Sequence, residues 1–211
     1  MNIIVDSELM KLGVFTMSAV IKGVRVSNRS EVLEKLKKEV IGQVHSLDLE
    51  PVFNGYRNVY AHFNQSSVLP PAESLRLLVK KTGRLPNVNT IVDSYNLIVF
   101  KTGLSIGSHD LQKIEGHLQL RHTDGQEKYT PLGSTSAAKI GAGEYACLDR
   151  EKVICRMDIK QCDETKITKK TIDVFIYIQG NESTSRDYVR QALHEATSII
   201  TTICGGTLIS A

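Results

Sequence analysis

The sequence contains no long apolar stretch. Its longer apolar runs, such as Leu97 to Phe100 and Val174 to Ile178, are far shorter than the roughly 20 residues that a membrane-spanning helix requires. The segment from Met1 to Asp6 has neither a basic part nor an extended apolar part, so no signal peptide is predicted. We therefore expect a cytoplasmic protein that has no membrane partner.

The sequence also lacks a large excess of basic residues. The 26 Lys and Arg residues nearly balance the 23 Asp and Glu residues, for a net charge of +3, so the charge is not that of a dedicated nucleic-acid-binding protein.

Closely spaced cysteines are missing as well. The absence of a C-x-x-C pair excludes the usual spacing of metal ligands and argues against a disulfide framework. We expect reduced, mostly structural thiols, no metal and no cofactor. The four cysteines are Cys147, Cys155, Cys162 and Cys204.

Motifs of several common enzyme classes are absent. The chain has no Walker loop, no G-x-G-x-x-G and no H-E-x-x-H, so the usual nucleotide-binding and zinc-protease sites are not expected.

What is present is an ordinary globular composition, with 41% hydrophobic and 23% charged residues in a chain of 211. A chain of this length buries enough surface for a stable core, and we expect a single domain over residues 1–211.

Patterns of apolar residues predict helices and strands in a definite order. Four helices are predicted. The first begins at the Ser30 cap and has an apolar face formed by Val32, Leu33, Leu36, Val40 and Val44. The others are predicted over 70–83, from the break at Pro86 to Gly103, and from Ser185 to Gly205. Strands are predicted over 14–26, 117–121, 144–148, 153–157 and 171–178. The segment 51–69 has a mixed pattern, compatible with a helix or a loop. Helices first, a strand-rich middle and a closing helix favour an α+β fold over a βαβ repeat.

Three polar residues lie at helical spacing on the third predicted helix. Asn89, Asp93 and Asn96 occupy positions i, i+4 and i+7, so they form one polar stripe on a mostly apolar segment. This stripe is either a solvated face or a ligand-binding face, whose amides and carboxylate offer several hydrogen-bond donors and acceptors.

A loop of small residues is predicted directly after this helix. Gly103 to Asp110 reads Gly-Leu-Ser-Ile-Gly-Ser-His-Asp, and such a loop allows close approach of a ligand. The pair of His109 and Asp110 is weak evidence for a site by itself, since adjacent loop residues seldom point at the same atom. A structural or solvated histidine is the alternative interpretation.

The segment from Arg84 to Asn96, with Gly103 and Asp110, resembles the centre of the B3/B4 domain, the tRNA-editing domain of the phenylalanyl-tRNA synthetase beta chain. The order Asn, Asp, Asn, Gly, Asp carries the resemblance, and it is extended by Ile114 to Arg121, Gly143, Glu144 and Thr171. The resemblance covers a motif-bearing core over 84–180; residues 1–83 add an N-terminal strand and helices, and residues 181–211 add a closing helix, as in free-standing relatives. It implies an α+β, B3/B4-like domain with a mostly antiparallel β-sheet core and flanking helices.

The resemblance also implies a site. In the family, the domain hydrolyses the ester bond of tyrosine that has been wrongly attached to the phenylalanine tRNA. This second step is needed because an apolar amino-acid pocket rejects an analogue with an added hydroxyl by only about 100-fold. Asn96 matches an asparagine of the editing pocket, and the pocket histidine of the family falls on Gly107, two places before His109. Asn89 and Asp93 match the helix signature, and Asp110 matches the aspartate after the loop. We therefore expect Asn96 and His109 to be catalytic, and Asn89, Asp93, Gly107 and Asp110 to bind substrate.

Departures from the family pattern leave two functions open. The glutamate that reads the tyrosine hydroxyl has no match on the 171–178 strand, which continues with Phe175, Tyr177 and Gln179, so tyrosine specificity is not inherited. The chain is expected to be either a deacylase that acts in trans on a mischarged aminoacyl-tRNA or a non-catalytic module that binds tRNA, another RNA or a small ligand. A complete ligase is not expected, because 211 residues spent on this domain leave no room for an ATP-binding catalytic domain.

The implied partner is the aminoacyl 3′ end of a tRNA, and not DNA. Lys80, Lys81 and Arg84 are predicted to contact RNA phosphates, with a solvated basic rim as the alternative. The oligomeric state stays open.

Overall fold

The computed structural model describes residues 1–43 and 48–210, so Val44 of the predicted first helix lies outside the described residues. The helices are α1 (Ser7–Lys11), α2 (Glu31–Gln43), α3 (Glu50–His62), α4 (Pro71–Thr82), α5 (Thr90–Thr102) and α6 (Arg186–Cys204). The strands are β1 (Ile3–Val5), β2 (Phe15–Lys22), β3 (Ser105–Asp110), β4 (Leu118–His122), β5 (Tyr145–Leu148), β6 (Val153–Arg156), β7 (Lys160–Gln161), β8 (Asp173–Gly180) and β9 (Thr207–Ser210).

Local chemistry sets the ends of the helices that were predicted from sequence. The Asn89 side chain accepts hydrogen bonds from the first backbone N–H groups of α5, and Ser185 caps α6 in the same way. At the other end of α5, Gly103 adopts a left-handed conformation with φ 73°, which glycine reaches without the steric cost of a Cβ atom. The observed ends of α6 and the C-terminal end of α5 agree with the predicted ones, whereas α5 begins at Thr90, four residues after the predicted break at Pro86, because Asn89 caps it.

The strands form two sheets. One has the order β1-β4-β5-β6-β7 and the other the order β3-β8-β2-β9. The described strands pair antiparallel, with β1 and β4 as the parallel exception. The predicted α+β fold with a mostly antiparallel sheet core and flanking helices is confirmed.

Helices cover the four-stranded sheet. Helix α6 packs on β2 and β8, and α5 packs against α6 and β3. A smaller apolar cluster of Leu33, Val79, Leu85, Leu97 and Phe100 joins α2 and α4 to the outer side of α5. Helix α5 is therefore packed against α6 and β3 on one side and against α2 and α4 on the other, and most of its residues are buried.

No helix within the described ranges is long and apolar enough to cross a bilayer.

Two sequence interpretations change. The segment from Gly103 to Asp110 is not a loop, because residues 105–110 form β3 and pair in register with β8 from Gln179 to Val174. Its glycine and serines obscured the strand pattern, and the strand is stabilised by the ladder to β8 and by burial of Leu104. Helix α3 (Glu50–His62) covers most of the unassigned segment 51–69, and its buried face includes Tyr56 and Tyr60. The short elements β1, α1, β7 and β9 were not predicted.

Candidate functional site

A cavity of about 350 Å³ opens between α4, α5, β3 and the turn that follows β6. It brings together three of the predicted site residues, Asn96, Gly107 and His109. Ser74 and Leu78 of α4 are exposed and form part of its rim. The remaining lining residues are Pro71, Leu75, Tyr95, Val99, Ile106, Cys155, Asp158, Ile159, Gln161 and Tyr177.

Asn96 is placed by α5 at the wall of this cavity. Its side chain is half-buried, while its neighbours Tyr95 and Leu97 are buried. Among the described residues, none forms a hydrogen bond with the Asn96 carboxamide. The amide therefore has both a donor and an acceptor to offer a molecule in the cavity.

His109 lies on β3 with an exposed fraction of 1%. The Gln161 amide nitrogen donates to the Ser108 carbonyl at 2.7 Å and lies 3.2 Å from His109 Nδ1. The Thr165 hydroxyl is 2.7 Å from the same ring nitrogen. Of the two neutral tautomers, the one protonated at Nε2 satisfies the contact with Gln161, whose amide nitrogen can only donate. Nε2 has no hydrogen-bond partner within the described structure, so in this tautomer His109 presents an unpaired N–H donor.

The protonation state of His109 follows from its burial. Desolvation, reinforced by the positive charge of Lys152 and opposed by Asp149, lowers the pKa of His109 to about 3. The imidazole is therefore neutral near pH 7, and it is too weak a base to hold a proton taken from water there. This state suits hydrogen-bond donation better than the general-base role that its type alone suggests.

Gly107 must be a small residue for a local reason. A Cβ atom at this position would lie 2.8 Å from Tyr177 Cε1, closer than side-chain carbons pack. The Tyr177 ring also stacks on His109, with the ring centroids 5.9 Å apart and the planes at 8°. The position that matches the family's pocket histidine is therefore covered by a tyrosine ring, and Tyr177 shapes this side of the cavity.

The sequence interpretation missed Asp158. Its Oδ1 atom accepts hydrogen bonds from the hydroxyls of Tyr60 and Tyr145, each at 2.6 Å, while Oδ2 has no partner in the described structure. Burial raises the pKa of Asp158, and the hydrogen bonds from the two tyrosines oppose this rise. The surrounding sequence, Met157-Asp158-Ile159, gives no signal that the carboxyl group is buried.

The predicted substrate-binding residues Asn89, Asp93 and Asp110 lie away from the cavity lining. Asn89 is the α5 cap, and its Oδ1 accepts hydrogen bonds from the N–H groups of Ile91 and Val92 at 3.1 and 3.0 Å. Asp93 is buried in an ion pair of 2.8 Å with Lys37. The predicted polar stripe is thus divided, because helix capping and a buried ion pair take two members and the cavity takes Asn96.

Asp110 ends β3 and holds the backbone around it. Its Oδ1 accepts from Gln112 N–H at 3.1 Å, and its Oδ2 accepts from the Thr171 hydroxyl at 2.8 Å. Both contacts are local supports of the fold. The observed position of Asp110 favours a structural role, since it is not among the cavity-lining residues.

The three basic residues predicted to contact RNA face in two directions. Arg84 lines a depression that shares Leu78 with the cavity rim, and Lys81 is one helical turn beyond Leu78 on α4. Lys80 lines a separate depression with Arg76 and other residues. Lys81 and Arg84 therefore form a basic border beside the cavity, whereas Lys80 does not.

Residues 103–107 also read G-x-S-x-G, a spacing that the sequence interpretation overlooked. In a nucleophile elbow this motif joins a strand to a following helix, but here it joins α5 to β3. The Ser105 hydroxyl is buried and donates to the Asp158 backbone carbonyl at 3.3 Å. Ser105 is therefore not presented as a nucleophile.

The cysteines and other metal-binding side chains form no obvious centre. All four cysteines are unpaired and buried, as predicted for free thiols, and burial raises the pKa of Cys155, which lines the cavity, to about 12. Within residues 1–43 and 48–210, no three His, Cys, Asp or Glu side chains are grouped so that they could hold a metal ion.

The fold and the cavity-bearing segment belong to a known class of domain. The family model described as the B3/4 domain matches residues 56–205, and the chain is a member of this family.

Two similar proteins are beta subunits of phenylalanine-tRNA ligases. The chain is 25% identical over 228 residues to the phenylalanine-tRNA ligase beta subunit of Vibrio parahaemolyticus, covering 96% of this chain and 28% of that protein. For the same subunit of Fusobacterium nucleatum the identity is 23%, over 64% of this chain and 20% of the relative. The chain thus spans less than a third of the length of these relatives.

A solved structure is similar in fold. An N-terminal fragment of the phenylalanyl-tRNA synthetase beta subunit from Pyrococcus horikoshii superposes with a TM-score of 0.56 at 16% identity, over 98% of this chain and 50% of that chain. The structural similarity extends beyond the segment 84–180 that carries the sequence resemblance.

Proposed function

We propose that this protein binds the aminoacyl end of a mischarged aminoacyl-tRNA in the cavity and hydrolyses the ester in trans. The observation that carries the proposal is the shared cavity of Asn96 and His109, each of which offers an unpaired polar group. A volume of about 350 Å³ suits an amino-acid side chain, but it excludes the body of a tRNA. The ester would therefore lie toward the rim.

The chemistry needs positioning more than a strong base. An aminoacyl ester is already activated, and an oriented water molecule supplies much of the acceleration that an enzyme requires. In the proposed reaction the water oxygen adds to the ester carbonyl carbon, and the bond to the ribose oxygen then breaks. One proton of the water is transferred to the departing ribose oxygen, which becomes the free hydroxyl of the uncharged tRNA, and the water oxygen with its other proton becomes part of the carboxyl group of the released amino acid.

Each cavity residue has a defined task in this scheme. The carbonyl oxygen of the Asn96 side chain accepts a hydrogen bond from the attacking water, and its NH₂ group contacts the substrate. The Nε2–H group of His109 donates to the ester oxygen on which negative charge develops. A neutral donor held in a buried position stabilises such charge strongly, because it needs no reorganisation during the reaction.

The basic border gives the tRNA a place to lie. Lys81 and Arg84 are exposed next to the rim residue Leu78, at a position where phosphates of the 3′ end would pass. Contacts of this type position the nucleic acid without reading its sequence.

The test is a deacylation assay on a panel of mischarged tRNAs, with release of the amino acid measured against buffer alone. We expect at least one substrate to be cleaved above the buffer rate and the His109→Phe variant to lose that activity. Release at the buffer rate across the full panel would refute hydrolysis.

A non-catalytic binding module is the second candidate, and one observation favours it. Gly107 and Tyr177 stand where the family pattern places a histidine and near where it places a glutamate, so two polar groups of the editing pocket are replaced. In this case the protein binds tRNA without releasing the amino acid. Filter binding over a salt series tests it, since phosphate contacts make affinity fall steeply with salt.

Charge-reversal variants sharpen that measurement. Lys81→Glu and Arg84→Glu should weaken tRNA binding and reduce the salt dependence, whereas Lys80→Glu, with the same change of charge on another face, is the matched control. Equal effects of all three substitutions would show that only net charge matters. A flat salt response of the unmodified protein would remove tRNA as a partner.

A further inference from the structure

The described cavity lining contains one acidic side chain, Asp158, and no lysine or arginine. His109 adds no positive charge near pH 7, because burial lowers its pKa to about 3. A group that enters the cavity therefore meets one carboxyl group that no protein cation balances from the lining.

The hydrogen bonds of Asp158 are incomplete. The hydroxyls of Tyr60 and Tyr145 both donate to Oδ1. These two hydrogen bonds favour the ionised carboxylate, whereas burial, the larger effect, raises the pKa of Asp158 and opposes ionisation until an opposite charge is bound. Oδ2 has no partner within the described residues, although 91% of Asp158 is buried, as its exposed fraction of 9% shows. Buried polar atoms are nearly always paired, so an unpaired carboxylate oxygen at a cavity wall points to a missing donor.

We propose that Asp158 Oδ2 binds a primary ammonium group of the ligand. The inference rests on the proposed function in one respect, namely that the cavity holds the aminoacyl group. A neutral hydroxyl would complete the hydrogen bond and leave the buried charge uncompensated, whereas an ammonium group supplies both the donor and the opposite charge. Tyr95 and Tyr177 also line the cavity, and aromatic rings attract ammonium groups.

Two parts of an aminoacyl group can supply this ammonium. One is the α-amino group, which every aminoacyl ester carries, and the other is an amine at the end of a basic side chain. In the first case Asp158 orients any substrate, and in the second it selects basic amino acids.

Four lysine derivatives that cannot be cleaved as esters separate these cases. L-lysinamide carries both ammonium groups, Nα-acetyl-L-lysinamide carries the side-chain group, Nε-acetyl-L-lysinamide carries the α-group, and the diacetyl derivative carries neither. Their dissociation constants are measured by NMR titration on the full chain, on Asp158→Asn and on Asp187→Asn. Asp187 is the matched control, since its side chain is 89% exposed and it does not line the cavity.

We expect L-lysinamide and one monoacetyl derivative to bind, and the diacetyl derivative to bind about tenfold more weakly or not at all, as the loss of a charge-assisted hydrogen bond predicts. Asp158→Asn should remove this difference, and Asp187→Asn should keep it. Equal affinity for all four probes, or no saturable binding of any probe to the unmodified protein, would overturn the proposal. An unchanged preference for ammonium in Asp158→Asn would overturn it too.

A measurement on the unmodified protein covers the case in which Asp158→Asn does not fold. The carboxyl ¹³C shift of Asp158 is followed against pH with and without L-lysinamide, and a bound ammonium must lower the pKa of Asp158. An unchanged or raised pKa contradicts the proposal. Because these probes are not cleaved, ammonium-selective binding without deacylation would refute only hydrolysis, and deacylation without that selectivity would refute only the role of Asp158.

Discussion

Replacing Asn96 by alanine should separate function from stability. The Asn96 carboxamide is half-buried and makes no hydrogen bond with the described residues, so the substitution leaves no partner unpaired. Alanine is also the better helix former, by up to about 0.7 kcal/mol per residue. We therefore expect the free energy of unfolding to stay within about 0.5 kcal/mol of the original value.

The loss of rate should be much larger. One well-placed hydrogen bond to the reacting groups contributes about 3 kcal/mol, which corresponds to roughly 100-fold in rate. Urea denaturation gives the first quantity, and single-turnover deacylation of a cleaved tRNA gives the second. Asn58→Ala is the control, since Asn58 is on α3 and bonds to Glu182 at the surface. A variant that melts far lower yet retains its rate would show that Asn96 supports the fold and would refute its assignment to the site.

Three further predictions concern helix α5 and the cavity. Asp93→Ala should cost about 2–3 kcal/mol of unfolding free energy, because it leaves the buried Lys37 ammonium with the more exposed Glu34 as its remaining anionic partner and the Val88 N–H group without its acceptor; a loss under 1 kcal/mol in urea, about the value of an exposed pair, would contradict this. Gly107→Ala should destabilise by about 1–3 kcal/mol through contact with the Tyr177 ring, and a double-mutant cycle with Tyr177→Leu should recover part of that loss; strict additivity would contradict the contact. The pKa of His109 is about 3 in the folded protein and 6.5 for an ordinary histidine, so unfolding takes up a proton at any pH between about 3 and 6.5. The free energy of unfolding therefore falls as the pH falls through this range, by about 1.4 kcal/mol per pH unit. Thermal denaturation of His109→Asn against pH should lack this slope, and an identical slope would refute the buried neutral state.

The sequence predicts the fold where a local pattern and burial agree. Helix α5 has apolar residues at helical spacing, an asparagine cap and a terminal glycine, and each of these acts within a few residues of the chain. Strand β3 could not be predicted in this way, since Gly107 and Ser108 have low strand propensity. Its partner β8 lies more than 60 residues away, and no local signal encodes that pairing.

The candidate site is predicted only in part for a similar reason. Spacing brings Asn89, Asp93 and Asn96 to one side of a helix, but the elements that cover that helix decide which of them is free. Lys37 comes from α2 to pair with Asp93, and that contact joins residues far apart in sequence. Asp158 could not be found at all, because its importance comes from two tyrosines on other elements.

The contacts of Lys37 have a consequence for ligand binding. Its ammonium group donates to the Pro86 carbonyl at 3.1 Å, to the Asn87 side chain and to Asp93. The segment before α5, which borders the cavity on the side of Arg84, is thereby fixed to a helix that does not line the cavity. A border that is ordered before any ligand arrives loses little conformational entropy on association, so more of the contact energy remains as affinity.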